Sequence, residues 1–90
     1  MKAINQKSPK TSLELIKTEL DEHNYNSMIY GWFIAIYYTD SVVIEGSEMM
    51  AKLQRITNKS LVIFNSSEFG TCLTTEEHYE INKKSPLIWQ

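Results

Sequence analysis

Ninety residues, 42% hydrophobic and 22% charged, describe one ordinary globular domain with a thin core, since a chain this short buries only about 60% of its unfolded surface. Nine basic against eleven acidic side chains leave a net charge of −2. That argues against general nucleic-acid affinity, which needs a basic surface, and equally against an acidic nucleic-acid mimic. A single cysteine, Cys72, excludes an internal disulfide, so a cytoplasmic protein is expected. The longest apolar run, Trp32 to Tyr38, is far short of the roughly 20 residues a spanning helix needs. The basic start MKAINQKSPK leads into TSLELIKTELDE, not into the apolar core of a signal peptide, so neither a membrane nor export is expected.

Residues 1–10 carry Lys2, Lys7, Lys10 and Ser8-Pro9 and read as a flexible arm, with residues 11–90 forming a single α+β domain. Thr11 with Glu14 is a capping-box pattern, and Leu13, Ile16 and Leu20 recur at helical spacing as far as Asn24. Glu19, Asp21 and Glu22 oppose the macrodipole at the end of this helix, so tertiary packing must hold it.

The stretch YGWFIAIYYTD, Tyr30 to Asp40, holds five of the ten aromatic residues. Period-two alternation puts Tyr30, Trp32, Ile34, Ile36 and Tyr38 on one face and Gly31, Phe33, Ala35, Tyr37 and Thr39 on the other. Neither face is polar, which predicts a strand buried on both sides. Val42-Val43-Ile44-Glu45-Gly46 is expected to return as its hairpin partner. With Glu45 outward, Val42 and Ile44 point inward, and a three-residue loop pairs Tyr38 with Val42 and Ile36 with Ile44.

Ser47 then caps a helix striped by Met49, Leu53 and Ile56 and ending near Asn58. Leu61-Val62-Ile63-Phe64 reads as a central strand and residues 69–73 as its return. Thr74 with Glu77 suggests a short final helix through Lys84, after which Ser85-Pro86 sends Leu87-Ile88-Trp89 off extended. The predicted order is α-β-β-α-β-β with a possible last helix. This is a small two-layer α+β domain whose sheet of about four strands is antiparallel or mixed.

A two-layer domain covers one sheet face with helices, yet the other face would carry Phe33, Tyr37, Val43 and either Val62 with Phe64 or Leu61 with Ile63. That is a large apolar patch to expose. Either the C-terminal segment with Tyr79, Ile81, Leu87, Ile88 and Trp89 covers it, or it is an interface with another protein or a second copy. The candidate partner-binding residues are Phe33, Tyr37, Val43 and Trp89.

Lys52, Arg55 and Lys59 share a helix face and could meet phosphates or an acidic partner, although Glu48 partly neutralises that stripe. Glu76, Glu77, His78 and Glu80, with Glu68 nearby, form an acidic cluster without metal-ligand spacing, so no metal is expected. Nothing local marks Cys72 as an activated nucleophile with His23 or His78 as base. Gly31, Gly46 and Gly70 stand too far apart for a phosphate loop, and no cofactor is expected. Lysine outnumbers arginine eight to one among ten isoleucines and six asparagines, a bias that suits AT-rich bacterial or phage coding sequence.

The residues point to a non-enzymatic protein-binding module: a small intracellular inhibitor or neutralising protein of the antitoxin, immunity or phage anti-defence type, acting through an aromatic-rich sheet face. The alternative is a small nucleic-acid-binding protein using the basic helix face.

Overall fold

Thr11 opens helix α1 (Ser12–Glu22) in the computed structural model, which describes residues 11–83. Its hydroxyl accepts from the Glu14 amide at 3.2 Å while the Glu14 carboxylate accepts from the Thr11 amide at 2.9 Å, so two orphan donors are satisfied at once. Leu13, Ile16 and Leu20 form its buried stripe. The helix stops because Asn24 adopts the left-handed region at φ 68°, which lets the Tyr25 amide reach the Leu20 carbonyl at 3.0 Å and the Asn24 amide reach Asp21 at 3.1 Å. Tyr25 then packs on the core beside the helix it has just closed.

Strands β1 (Asn26–Tyr30) and β2 (Phe33–Tyr37) form a hairpin around the two-residue turn Gly31-Trp32. Gly31 takes φ 56°, the positive angle that such turns require at their first position. A helical turn, α2 (Ser41–Ile44), leads to α3 (Glu48–Thr57). The Ser47 hydroxyl joins the two, accepting from Met50 and donating to the Ile44 carbonyl. Strands β3 (Leu61–Ser66) and β4 (Gly70–Thr75) form the second hairpin, and α4 (Glu76–Asn82) closes the described chain. The sheet order is β1-β2-β4-β3 and every pairing is antiparallel, which is the small α+β fold expected.

Paired residues share a face. Ile29, Ile34, Leu73 and Ile63 are partners across all four strands and lie on the helix side. With Ile36, Leu61, Leu13, Ile16, Leu20, Ile44 and Leu53 they make an aliphatic core. Both sheet edges are touched by a helix side chain. Lys17 Nζ donates to the Ser27 carbonyl of β1 at 2.9 Å, and the Leu61 amide of β3 donates to Gln54 Oε1 at 3.1 Å.

The hairpin expected between the aromatic stretch and residues 42–46 does not form. Gly31 reverses the chain inside the apolar run, so β2 is flanked by β1 on one side and β4 on the other, and no place beside it remains. Residues 41–44 turn helical instead; Ile44 reaches the core while Val42 and Val43 are 74% and 60% exposed. The same turn breaks the period-two alternation, so Tyr30 pairs with Phe33 and stands on its face, not with Ile34 and Ile36. The final helix is capped one residue later than expected, by Thr75, whose hydroxyl accepts from the His78 amide at 3.1 Å. The arm over 1–10 and the extended end with Leu87, Ile88 and Trp89 lie outside the described residues.

Candidate functional site

The sheet face opposite α1 and α3 is aromatic. One row across the four strands is Met28, Ala35, Cys72 and Phe64. Ala35, Cys72 and Thr74 have zero exposure and form the floor of this face. Phe33 is the hub above it, with ring centroids 5.1 Å from Trp32, 5.3 Å from Phe69, 5.7 Å from Phe64 and 6.1 Å from Tyr30. Trp32 and Phe64 stack nearly parallel at 5.4 Å, and Tyr79 of α4 continues the layer 5.4 Å beyond Phe64. Edge-to-face and offset contacts of this kind add to simple burial.

Local backbone chemistry sets these rings in place. The Ser66 hydroxyl accepts from the amides of Glu68 and Phe69, both at 3.2 Å, and so folds the β3–β4 turn back until Phe69 lies 4.7 Å from Tyr30. Thr74, buried on β4, donates its hydroxyl to the Trp32 carbonyl and ties the β1–β2 turn to the adjoining strand. At the other end the hydroxyls of Tyr30 and Tyr37 meet at 2.6 Å. That contact, with desolvation and the charge of the neighbouring phenol, holds the Tyr37 hydroxyl above the ordinary tyrosine pKa. Tyr38 sits beside Tyr37, ring centroids 6.3 Å apart, and is 95% exposed.

The candidate residues are distributed unevenly over this geometry. Phe33 belongs to the face but is 9% exposed, because the surrounding rings enclose it. Tyr37 is on the face and half-buried. Val43 stands on α2, off the sheet, and Trp89 lies outside the described residues. Met28, Tyr30, Trp32, Tyr38 and Phe69 join the face without having been singled out. The signal that would have found the first two is Gly31, the turn residue hidden inside an apolar run.

The expected basic stripe is split, because α3 ends at Thr57 and Asn58 closes it at φ 56°: Lys52 and Arg55 stand on the helix and Lys59 lies beyond it. Lys52 Nζ lies 2.6 Å from Glu19 Oε2 and bridges α3 to α1, and Lys59 lies 3.9 Å from Glu77. Arg55 is exposed and makes no ion pair with a described residue. A recess of about 500 Å3 on the helix side is lined by Glu14, Lys59, Glu77 and His78 among others. These groups are bonded within the fold: Glu14 in the α1 cap, Lys59 with Glu77, and His78 Nδ1 to Thr75 Oγ1 at 3.0 Å.

Cys72 is fully buried, and burial pushes its thiol up to about 11, so at neutral pH it is protonated and shielded. Among the described residues no group of three or more His, Cys, Asp or Glu side chains could hold a metal ion, and no helix is long and apolar enough to cross a membrane. Compared with family models, with curated proteins and with solved structures, the chain matches none.

Proposed function

We propose that the protein is a non-enzymatic protein-binding module that acts through the aromatic face of its sheet, as a small cytoplasmic inhibitor or neutralising protein would. The observation that carries this reading is the contiguous layer from Tyr79 through Phe64, Trp32, Phe33, Phe69 and Tyr30 to Tyr37 and Tyr38, on the face opposite α1 and α3. Its β1–β2 end is open, with Met28 48% and Tyr38 95% exposed. Tyrosine, tryptophan, phenylalanine and methionine are the side chains enriched at the centres of protein interfaces. The protonated, enclosed thiol of Cys72 supports the non-enzymatic part, since the chain's one strong potential nucleophile is inert as folded.

The test is native mass spectrometry of the tagged protein recovered gently from its source cells, beside the variant Met28→Lys. Met28 is on an edge strand and half exposed, so the charge disturbs the face and leaves the aliphatic core alone. The expected result is a stoichiometric protein companion that Met28→Lys loses while its circular dichroism spectrum is unchanged. A lone chain, or a companion retained by Met28→Lys, overturns the reading.

A further inference from the structure

Tyr38 combines two properties that stability alone does not explain. It is 95% exposed, and it holds φ at 61°, the left-handed region that a bulky side chain enters at a cost and that glycine or asparagine fills readily. Backbone strain of this kind gathers at sites of recognition, where the surrounding structure enforces it. Its ring extends the Tyr30–Tyr37 pair at the open end of the aromatic face.

Two carboxylates stand close in the chain to that end, and the cation beside Met28, Lys17, is already held by Asp21 at 3.2 Å and by the Ser27 carbonyl at 2.9 Å. Asp40 follows Tyr38 by two residues, and Glu68 precedes Phe69, whose ring touches Tyr30. Both carboxylates are exposed and neither makes an ion pair with a described residue. The face already accepts a cation at its other end, where Lys83 Nζ stands 5.4 Å from the Tyr79 ring centroid while bonded to Glu80.

We infer that the open end of the aromatic face, Met28, Tyr30, Tyr37 and Tyr38 with Asp40 and Glu68, docks a cationic protein segment, with Tyr38 as its anchor. The inference rests on the protein-binding reading and names the partner's chemistry. Arginine or lysine side chains would lie over the tyrosine rings while their charges meet the two carboxylates, and the apolar stems would cover Met28. A second copy of this chain is the wrong occupant, because a two-fold contact through this face brings in the same carboxylates and leaves them opposed by like charge.

The experiment is a titration of the isotope-labelled full chain, followed by amide NMR shifts, with an acetylated hexapeptide alternating arginine and leucine and with its glutamate–leucine counterpart. The arginine peptide should give saturable shifts centred on Met28, Tyr30, Tyr37 and Tyr38, and the glutamate peptide none. The double variant Asp40→Lys, Glu68→Lys should weaken binding at least tenfold. A matched charge change on the helix side, Glu22→Lys with Glu48→Lys, should alter it less than twofold. Tyr38→Gly should raise the melting temperature while weakening the peptide at least fivefold.

Equal response to both peptides, shifts centred elsewhere, or equal loss in the two charge-reversed variants overturns the inference. So does a fall in melting temperature for Tyr38→Gly, which would make that ring part of the fold, and so does a dimer that Met28→Lys dissolves. A cellular companion lost by Met28→Lys but kept by Asp40→Lys, Glu68→Lys would refute the cationic partner and leave the protein-binding reading standing. A companion lost by neither would refute that reading itself.

Discussion

Replacing Phe33 by alanine separates a face that is only displayed from a face that also holds the molecule together. The ring is 91% removed from solvent and contacts four other rings, so its loss takes most of a phenylalanine's burial and leaves a cavity at the centre of the layer. Burial of roughly 150–250 Å2 at about 25 cal/mol per Å2 gives about 4–6 kcal/mol, and buried Phe→Ala changes cost about 3–5 kcal/mol. We expect about 4 kcal/mol, because Phe69 and Trp32 stand on turns and can relax part of the way into the gap. A 90-residue domain has a total stability of about 5–13 kcal/mol, so the variant should stay folded at room temperature with its melting temperature lower by about 15–30 °C. Urea unfolding followed by circular dichroism, with an unchanged dependence on denaturant, would measure this. A loss below about 1 kcal/mol would refute the reasoning and return Phe33 to the exposed residues free to be spent on a partner.

Other outcomes follow from the same geometry. Val43→Ala, on exposed α2, should shift stability by less than about 0.5 kcal/mol in the same assay, and a larger loss would contradict its placement off the core. The Cys72 thiol stays protonated in the fold up to about 11 whereas the unfolded chain ionises from 9.0, so the native state holds the extra proton between those values. Stability should therefore be intact below pH 9 and fall across pH 9–11, more steeply than in Cys72→Ala, and the raised Tyr37 hydroxyl acts in the same direction. Equal slopes for the two proteins would contradict the burial of the thiol. Asn24→Val should cost about 1–2 kcal/mol and Asn24→Gly almost nothing, because only the branched residue resists φ 68°; identical melts would refute that. Lys17→Met removes the bond to the Ser27 carbonyl and the 3.2 Å pair with Asp21, costing up to about 1 kcal/mol. It should also make the chain associate with rising concentration in light scattering, since β1 then offers an unguarded edge.

The elements most legible in the sequence were those with local chemistry at their ends. Thr11 with Glu14 marked α1, Ser47 marked α3, and Asn65-Ser66-Ser67 marked the turn before β4. The first hairpin was hidden because its turn is made of Gly31 and Trp32, an apolar pair inside an apolar run, and only Gly31 of the two takes a positive φ. β1 was missed because Asn26-Ser27 looks like loop, yet Ser27 is buried beside Lys17 and Asp21. Val42 and Val43 carry the branched side chains of a strand, but strand propensity is realised only beside a free edge, and β2 has none. That both faces of β2 are apolar was readable from alternation. Which rings share the second face was not, because Gly31 inverts the phase between Tyr30 and Phe33.

The apolar character of both faces of β2 bears on how the chain finds its register. In most sheets a slip of one residue throws polar groups inward and is rejected for that reason. Here a slip would exchange Ile34 and Ile36 for Phe33, Ala35 and Tyr37, oil for oil, and solvation alone would scarcely object. Fidelity then falls to the punctuation: the positive φ angles of Gly31 and Gly70, the Thr74 bond to Trp32, and the mismatch between flat rings and branched aliphatics. Errors at those few positions would yield compact, wrongly threaded molecules in place of unfolded ones.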